Sequence, residues 1–198
     1  MTSFESNIIV GIQKISSPAL NWVFNIITQG GEIAMILIVF AVVLLCFGAL
    51  KAAKYGVIVG VTSLVGQIIK IIVARPRPYQ TNSNISNYSI SNVKDFTSFP
   101  SGHTLTATVT AIFLVVCLFN VVRNKWGRSG IVAAFSLFVL LVGFSRMYLG
   151  VHYLSDVLGA ILIAAVVYVI ISYVFEKVWK GICRRIANPS ARAGASSR

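Results

Sequence analysis

Five long apolar segments separated by short polar breaks dominate the chain. They cover Ile33–Leu50, Tyr55–Ile72, Thr104–Val122, Ile131–Leu149 and Ser155–Phe175. Each approaches the roughly 20 residues that an α-helix needs to cross the hydrocarbon core of a bilayer. The pattern therefore predicts an all-α integral membrane helical bundle with five transmembrane helices.

The first 30 residues fit this pattern less well, because polar residues interrupt their apolar positions. The segment Ile8–Thr28 is long enough to cross a membrane, yet it contains Lys14 and the helix-breaking pair Ser17-Pro18. This composition favours an amphipathic segment lying at the membrane interface. A sixth transmembrane helix is the alternative. We expect one membrane-embedded domain over residues 1–198, with an interfacial segment 1–30, a catalytic helical core 33–175 and a basic tail 176–198.

The composition also indicates a membrane protein. Hydrophobic residues make up 57% of the chain and charged residues only 11%, whereas soluble domains carry about a quarter charged residues. The formal net charge is +12, and a strongly basic balance can indicate nucleic-acid binding. Most of the basic residues, however, flank the apolar segments, where they act as topology signals. We therefore expect the lipid bilayer as the partner, and no nucleic acid.

The distribution of basic residues predicts the orientation. With five spans, the loops after the first, third and fifth spans share one side and hold eleven of the 17 Lys and Arg residues. The positive-inside rule places this side in the cytoplasm. We expect a multi-pass protein of the inner or plasma membrane with a cytoplasmic C-terminus. The polar loop 75–100 and the turn 145–154 then face outward.

Chemistry-bearing residues gather at the predicted outer side, in three separate segments. The first is Lys70 with Arg77-Pro78, at the end of the second span. Arg binds a phosphate through its planar fork, and Lys acts as a point charge. A positively charged helix end whose side chains reach lipid headgroups is the alternative.

The second segment is Pro100-Ser101-Gly102-His103, which opens the third span. Ser101 is suited to the N-cap position, and Gly102 lets a ligand approach backbone N–H groups. A helix N-terminus binds anions, and His103 can donate a proton there. A capping turn with an uninvolved histidine explains this segment equally well.

The third segment is Ser145-Arg146, followed at fixed spacing by His152 and Asp156. His152 and Asp156 are four residues apart and share one face of a helix. A carboxylate bound to one imidazole nitrogen makes the other more nucleophilic. A surface His–Asp pair is disfavoured, because Asp156 begins a long apolar run in which an unpaired carboxylate is costly.

Together, these segments resemble the type 2 phosphatidic acid phosphatase superfamily, the membrane lipid phosphatases related to vanadium haloperoxidases. The family signature is Lys-x6-Arg-Pro, Pro-Ser-Gly-His and Ser-Arg-x5-His-x3-Asp, and all eleven positions match in order and spacing. The resemblance covers about residues 33–175. The spacing from Lys70 assigns the family role to Arg77 and leaves Arg75 as an auxiliary donor.

The resemblance implies a covalent phosphohistidine mechanism. His152 attacks phosphorus and is oriented by Asp156, while His103 protonates the leaving oxygen and then activates a water. No metal or cofactor is expected, because three cations neutralise the phosphate and Asp95 and Asp156 are the only carboxylates in the motif-bearing segments. The residues expected to bind the phosphate are Lys70, Arg77, Ser101, Gly102 and Arg146.

The expected substrate is a membrane lipid phosphate, and no obligate protein partner is inferred. Undecaprenyl diphosphate, phosphatidylglycerophosphate and phosphatidic acid are the candidates that the resemblance implies. A small transporter or channel is an alternative, but it predicts charges spread through the membrane depth rather than gathered at one face. A vanadate-dependent peroxidase is disfavoured by the hydrophobic spans.

Overall fold

The computed structural model describes residues 2–90 and 97–187, and over these ranges the chain forms eight α-helices. This confirms the predicted all-α class. The one feature of β type in the same ranges is an isolated antiparallel bridge between Pro76 and Thr97. The helices are α1 (Thr2–Gln13), α2 (Pro18–Thr28), α3 (Ile33–Phe47), α4 (Ala49–Val73), α5 (Pro78–Thr81), α6 (Gly102–Phe119), α7 (Lys125–Tyr148) and α8 (Leu154–Ala187).

Four helices, α4, α6, α7 and α8, are long and apolar enough to cross a membrane. The 15 residues of α3 extend about 22 Å, less than the roughly 30 Å of a bilayer core. Across the short 3-10 turn Gln29–Gly31, α2 and α3 form a pair bent by 49° that passes the same test together. The described part of the chain thus has four candidate spans, or five if the bent pair is one broken span.

Helix α6 lies at the centre of the bundle, where it packs against α3, α4, α7 and α8. Hydrogen bonds within α6 and to neighbouring helices satisfy the hydroxyl groups of its buried threonines. Thr108 Oγ1 donates to the carbonyl of Thr104 at 2.7 Å, and the hydroxyls of Thr110 and Tyr55 are hydrogen-bonded at 3.0 Å. Large aliphatic side chains on the outer helices are exposed on the surface that lipid would cover.

The N-terminal segment has the predicted break, and hydrogen bonds attach it to the rest of the bundle. Ser17 caps α2 by accepting a hydrogen bond from Leu20 N, and Pro18 follows as the first helical residue. In α1, Gln13 donates to the carbonyls of Ser86 at 2.8 Å and Tyr148 at 2.9 Å. Helix α1 is therefore attached both to the polar loop and to the end of α7.

The last helix is longer than the apolar pattern predicted. Helix α8 continues to Ala187, whereas the fifth apolar segment ends at Phe175. The first part of the expected basic tail is thus helical, and Glu176 pairs there with Lys54 at 2.8 Å. Residues 188–198, the rest of that tail, lie outside the described residues.

Candidate active site

The three segments singled out in the sequence meet at one end of the bundle. Helix α4 is followed by Ala74 at its C-cap, which has a positive φ of 45°. The chain then pairs with the segment before α6, where Ser98 N donates to the carbonyl of Arg75 at 2.7 Å. Ser101 N donates in turn to the carbonyl of Asp156 at 3.2 Å. Backbone contacts thus join the ends of α4, α6 and α8.

The turn between α7 and α8 places His152 over the end of α7. Gly150 has a φ of +76°, and its Cα lies so close to the carbonyl of Ser86 that a Cβ would clash there. The amides of Val151 and His152 then donate to the carbonyl of Arg146 at 3.2 and 3.3 Å. The glycine therefore allows the tight turn that positions the histidine.

The two nitrogens of the His152 ring face groups of opposite charge. Nδ1 lies 3.6 Å from Oδ2 of Asp156, slightly beyond hydrogen-bond distance. Nε2 lies 3.4 Å from Nη1 of Arg77. Asp156 is fully buried, and its Oδ2 accepts a hydrogen bond from Tyr153 N at 2.8 Å. A carboxylate on one edge and a cation on the other orient the ring with Nε2 towards the positive charges.

The protonation state of His152 follows from its surroundings. Its side chain is only 2% exposed. Burial, followed by the positive charges of Arg146, Arg77 and Lys70, holds the pKa of the His152 imidazole well below its ordinary value. The ring is therefore neutral near pH 7 and keeps a free lone pair.

Three buried cations lie near this ring, two from the first sequence segment and one from the third. Lys70, Arg77 and Arg146 are all buried. Arg77 Nη1 donates to the carbonyl of Val151 at 3.1 Å, and Arg146 Nη1 donates to Thr28 Oγ1 at 2.8 Å. The Nε atom of Arg146 has no hydrogen-bond partner among the described residues. Like charges held in a desolvated site repel each other, and an anion between them offsets this cost.

His103 lies beside this group of cations and is paired with a residue that the sequence analysis did not single out. It is close enough to Arg146, His152 and Lys70 to interact with them electrostatically. Its Nε2 lies 3.3 Å from Oε1 of Glu32. The backbone of Gly31 touches that of His103 so closely that no Cβ would fit. The glycine therefore brings Glu32 within reach of the imidazole.

The start of α6 differs in detail from the prediction. Ser101 occupies the N-cap position, but its Oγ is hydrogen-bonded to Thr104 Oγ1 at 2.9 Å and does not cap the helix. Its backbone N–H is engaged by the carbonyl of Asp156. At Gly102, a Cβ would meet nothing within 4 Å. Open space thus adjoins Gly102, whereas Ser101 joins α6 to α8.

A cavity of about 420 Å³ lies between α3, α4 and α6 and reaches the predicted site residues Lys70, Gly102 and His103. His152, Arg77 and Arg146 do not line it. The cavity is therefore charged at one end and apolar along its walls. The walls include Ile33, Ile36, Gly66 and Leu105.

Arg75, expected as an auxiliary phosphate donor, faces two carboxylates instead. Its Nη1 donates to Oδ1 of Asp156 at 2.8 Å and to Ser155 Oγ at 2.6 Å. Its Nη2 donates to Oε2 of Glu5 at 2.7 Å. Its guanidinium also stacks 3.9 Å from the centre of the Tyr153 ring. These contacts direct Arg75 to the carboxylate side of the His152–Asp156 pair.

The described residues offer no cluster of three or more His, Cys, Asp or Glu side chains able to hold a metal ion. Asp95, which entered the expectation of a metal-free site, lies outside the described residues.

The bundle and its cationic pocket define a membrane-embedded phosphatase. The family model described as "PAP2 superfamily" matches residues 51–180. This match covers well over half of the chain, and the protein belongs to the PAP2 superfamily. The resemblance drawn from the eleven signature positions is confirmed.

Two Bacillus subtilis proteins are similar in sequence. Undecaprenyl-diphosphatase BcrC is 31% identical over 152 residues, which cover 75% of this chain and 71% of the relative. Phosphatidylglycerophosphatase B is 36% identical over 88 residues, which cover 41% of this chain and 40% of the relative.

Two solved structures share the fold. A transmembrane PAP2 type phosphatidylglycerolphosphate phosphatase from Bacillus subtilis has a TM-score of 0.71 and 27% identity, covering 89% of this chain and 86% of the other. Aquifex aeolicus LpxE has a TM-score of 0.69 and 22% identity, with coverage of 84% and 93%. At its low identity, the second structure supports the fold alone.

Proposed function

We propose that this lipid phosphatase removes a phosphate from a lipid headgroup at the outer face of the cell membrane, through a phosphohistidine intermediate and without a metal. The basic loops and the C-terminus would then lie in the cytoplasm. The observation that carries the proposal is the convergence of Lys70, Arg77 and Arg146 around a buried, neutral His152.

The geometry supports His152 as the nucleophile. The lone pair on Nε2 forms a bond to phosphorus while the bond from phosphorus to the leaving oxygen breaks. Asp156, on the Nδ1 side, stabilises the positive charge that develops on the ring. Lys70, Arg77 and Arg146 stabilise the negative charge on the non-bridging phosphate oxygens, together with the accessible backbone at Gly102.

His103 is placed to move the protons. It gives a proton to the leaving oxygen, so that the departing group leaves as an alcohol or as a protonated lipid phosphate. It then accepts a proton from the water that attacks the phosphohistidine. This second step breaks the phosphorus–nitrogen bond and releases inorganic phosphate. Glu32, 3.3 Å away, orients the ring and stabilises its positive charge.

The cavity favours an amphiphilic substrate. Its charged end contains Lys70 and His103, and its apolar walls lie between transmembrane helices, which suits a headgroup phosphate with a hydrocarbon tail. Undecaprenyl diphosphate is our first candidate, because an undecaprenyl-diphosphatase is 31% identical to this chain over 75% of its length. Phosphatidylglycerophosphate and phosphatidic acid are the next candidates.

Phosphate release from purified protein tests the function. The panel contains undecaprenyl diphosphate, phosphatidylglycerophosphate and phosphatidic acid, each assayed with and without EDTA. We expect activity on at least one lipid, undiminished by EDTA and abolished in the His152→Ala and His103→Ala variants. Loss of activity in EDTA would reject the metal-free mechanism, and full activity of His152→Ala would reject the nucleophile.

The orientation has its own test. Ser86 is exposed in the polar loop, and a Ser86→Cys variant can be made in a background where Cys46, Cys117 and Cys183 are replaced by alanine. A membrane-impermeant thiol reagent should label it on intact cells. Labelling only after permeabilisation would place the site on the cytoplasmic side.

A further inference from the structure

Arg75 and Glu5 form an ion-pair network behind the catalytic carboxylate. Arg75 holds Oδ1 of Asp156 at 2.8 Å and Oε2 of Glu5 at 2.7 Å. Oε1 of Glu5 accepts a hydrogen bond from Ser155 N at 2.7 Å, at the first turn of α8. Glu5 of α1 thus contacts Arg75, which pairs with Asp156, and also the first turn of α8, the helix that contains Asp156.

We propose that Glu5 and Arg75 are positioning residues for the reaction, so that helix α1 is part of the catalytic apparatus. The inference rests on the proposed function, since it concerns how Asp156 supports His152 as nucleophile. Neither residue lies at a position of the family signature, and Glu5 precedes the matched region 51–180.

The positions of the hydrogen bonds show what the network does. Tyr153 N fixes Oδ2 of Asp156 and Arg75 fixes Oδ1, so the carboxylate is held at both oxygens. Oδ2 is also the atom nearest to Nδ1 of His152, at 3.6 Å. A shift of the carboxylate therefore changes the contact that orients the nucleophile.

The charges explain why Arg75 needs a second carboxylate. Asp156 is fully buried. If Arg75 were its only ionic partner, the positive charge of the guanidinium would offset the negative charge with which Asp156 stabilises the His152 ring. Glu5 neutralises part of the Arg75 charge, so that more of the negative charge of Asp156 remains available to stabilise the His152 ring. Burial opposes ionisation of Glu5, but hydrogen bonds from Ser155 and Arg75 hold the pKa of this carboxyl below its usual value.

The network is directed away from the phosphate. Within the part of the chain that the structure describes, the polar contacts of Arg75 are to Glu5, Ser155, Asp156 and the backbone of Ser98. The cation 3.4 Å from Nε2 of His152 is Arg77, and the two other buried cations near the ring are Lys70 and Arg146. Disrupting the network should therefore change the chemical step and leave phosphate binding intact.

The experiment measures turnover of the panel lipid on which the wild type is most active, and inhibition by vanadate as a phosphate mimic. Glu5→Gln keeps an oxygen acceptor for Ser155 N but removes the charge. We expect kcat to fall about tenfold, because charge-assisted hydrogen bonds are roughly twice as strong as neutral ones. Arg75→Gln should lower kcat about 100-fold, the loss that a misplacement of about 1 Å can cause.

In both variants we expect KM and the vanadate inhibition constant to stay within about twofold of the wild-type values. General damage to the site would instead raise both constants. Arg75→Lys keeps the positive charge and should therefore recover part of the kcat that is lost in Arg75→Gln. Glu5→Gln should cause less than a twofold further loss in the Arg75→Gln background, because Glu5 acts through Arg75.

Glu176→Gln is the matched control, because it removes a carboxylate from the ion pair with Lys54, which is not part of the site. Its kcat should equal that of the wild type. An unchanged kcat in Glu5→Gln would overturn the inference. So would a rise in the vanadate inhibition constant as large as the fall in kcat. A kcat loss in the double variant equal to the product of the two single losses would also overturn it. A wild type that releases no phosphate from any panel lipid would refute the proposed function, and the inference with it.

Discussion

Removing the charge of Glu32 is the perturbation that tests the proton-transfer role of His103. Glu32→Gln keeps the size and hydrogen-bonding capacity of the side chain, but it removes the negative charge 3.3 Å from Nε2 of His103. In the proposed mechanism, the imidazole carries a positive charge before it protonates the leaving oxygen. The carboxylate stabilises that charge, so its loss should slow the chemical step.

The magnitude follows from the separation of the two groups. Two unit charges at 3.3 Å interact by about 1.3 kcal/mol in water and by about 5 kcal/mol at an effective dielectric constant near 20. The side chains of His103 and Glu32 are 22% and 32% exposed, so solvent screens the pair and the lower value is the better guide. We therefore expect Glu32→Gln to lower kcat/KM by about tenfold.

The assay compares two substrates with different leaving groups. The alkoxide of a lipid monophosphate such as phosphatidic acid needs a proton in order to depart, whereas p-nitrophenolate departs without one. Glu32→Gln should therefore impair hydrolysis of phosphatidic acid strongly and that of p-nitrophenyl phosphate only weakly. His103→Gln should show the same selectivity with a larger loss, because general acid catalysis contributes roughly 10²–10⁴-fold.

Glu176→Gln again serves as the matched control, with no loss expected on either substrate. Equal losses of kcat/KM on both substrates in Glu32→Gln would show that the residue does not support protonation of the leaving oxygen. No loss on phosphatidic acid would refute the electrostatic pairing with His103 altogether.

Two further predictions follow from the turn that carries the nucleophile. In a His103→Gln variant, His152 is the only histidine of the chain, and NMR should show its imidazole still neutral as the pH falls below about 6.5; protonation at or above that pH would contradict the environment described by the structure. Gly150→Ala forces a side chain into a positive φ against the carbonyl of Ser86 and should lower the free energy of unfolding by about 2 kcal/mol or more. In the control Gly60→Ala, the added Cβ meets nothing within 4 Å, and a thermal unfolding assay in detergent should show no loss.

The main features of the fold and the site could be predicted from short-range patterns. Apolar length identified the regions of α4, α6, α7 and α8, because a membrane span must be long and continuous. The spacing of His152 and Asp156 predicted their juxtaposition, since residues four apart share a helix face. The bent α2–α3 pair was less clear, because its apolar run is divided by a polar turn near Gly31.

The residues behind and beside the catalytic groups could not be found in this way. Glu5 and Arg75 are 70 positions apart, and His103 and Glu32 are 71 apart, so no local pattern connects them. Glu32, as a single carboxylate just before an apolar run, is indistinguishable from an ordinary helix N-cap. The close backbone approach at Gly31 was the one local signal, since adjacent glycines before a helix indicate a tight contact.

The central claim is that a phosphoryl group bound by Lys70, Arg77 and Arg146 is transferred to Nε2 of His152. Rapid quenching of the enzyme with a lipid substrate labelled with ³²P at the transferred phosphate tests it most directly. We predict a protein-bound label that is stable in alkali, labile in acid and absent from His152→Gln. A label that persists in His152→Gln, or an active wild type that never becomes labelled, would contradict the account.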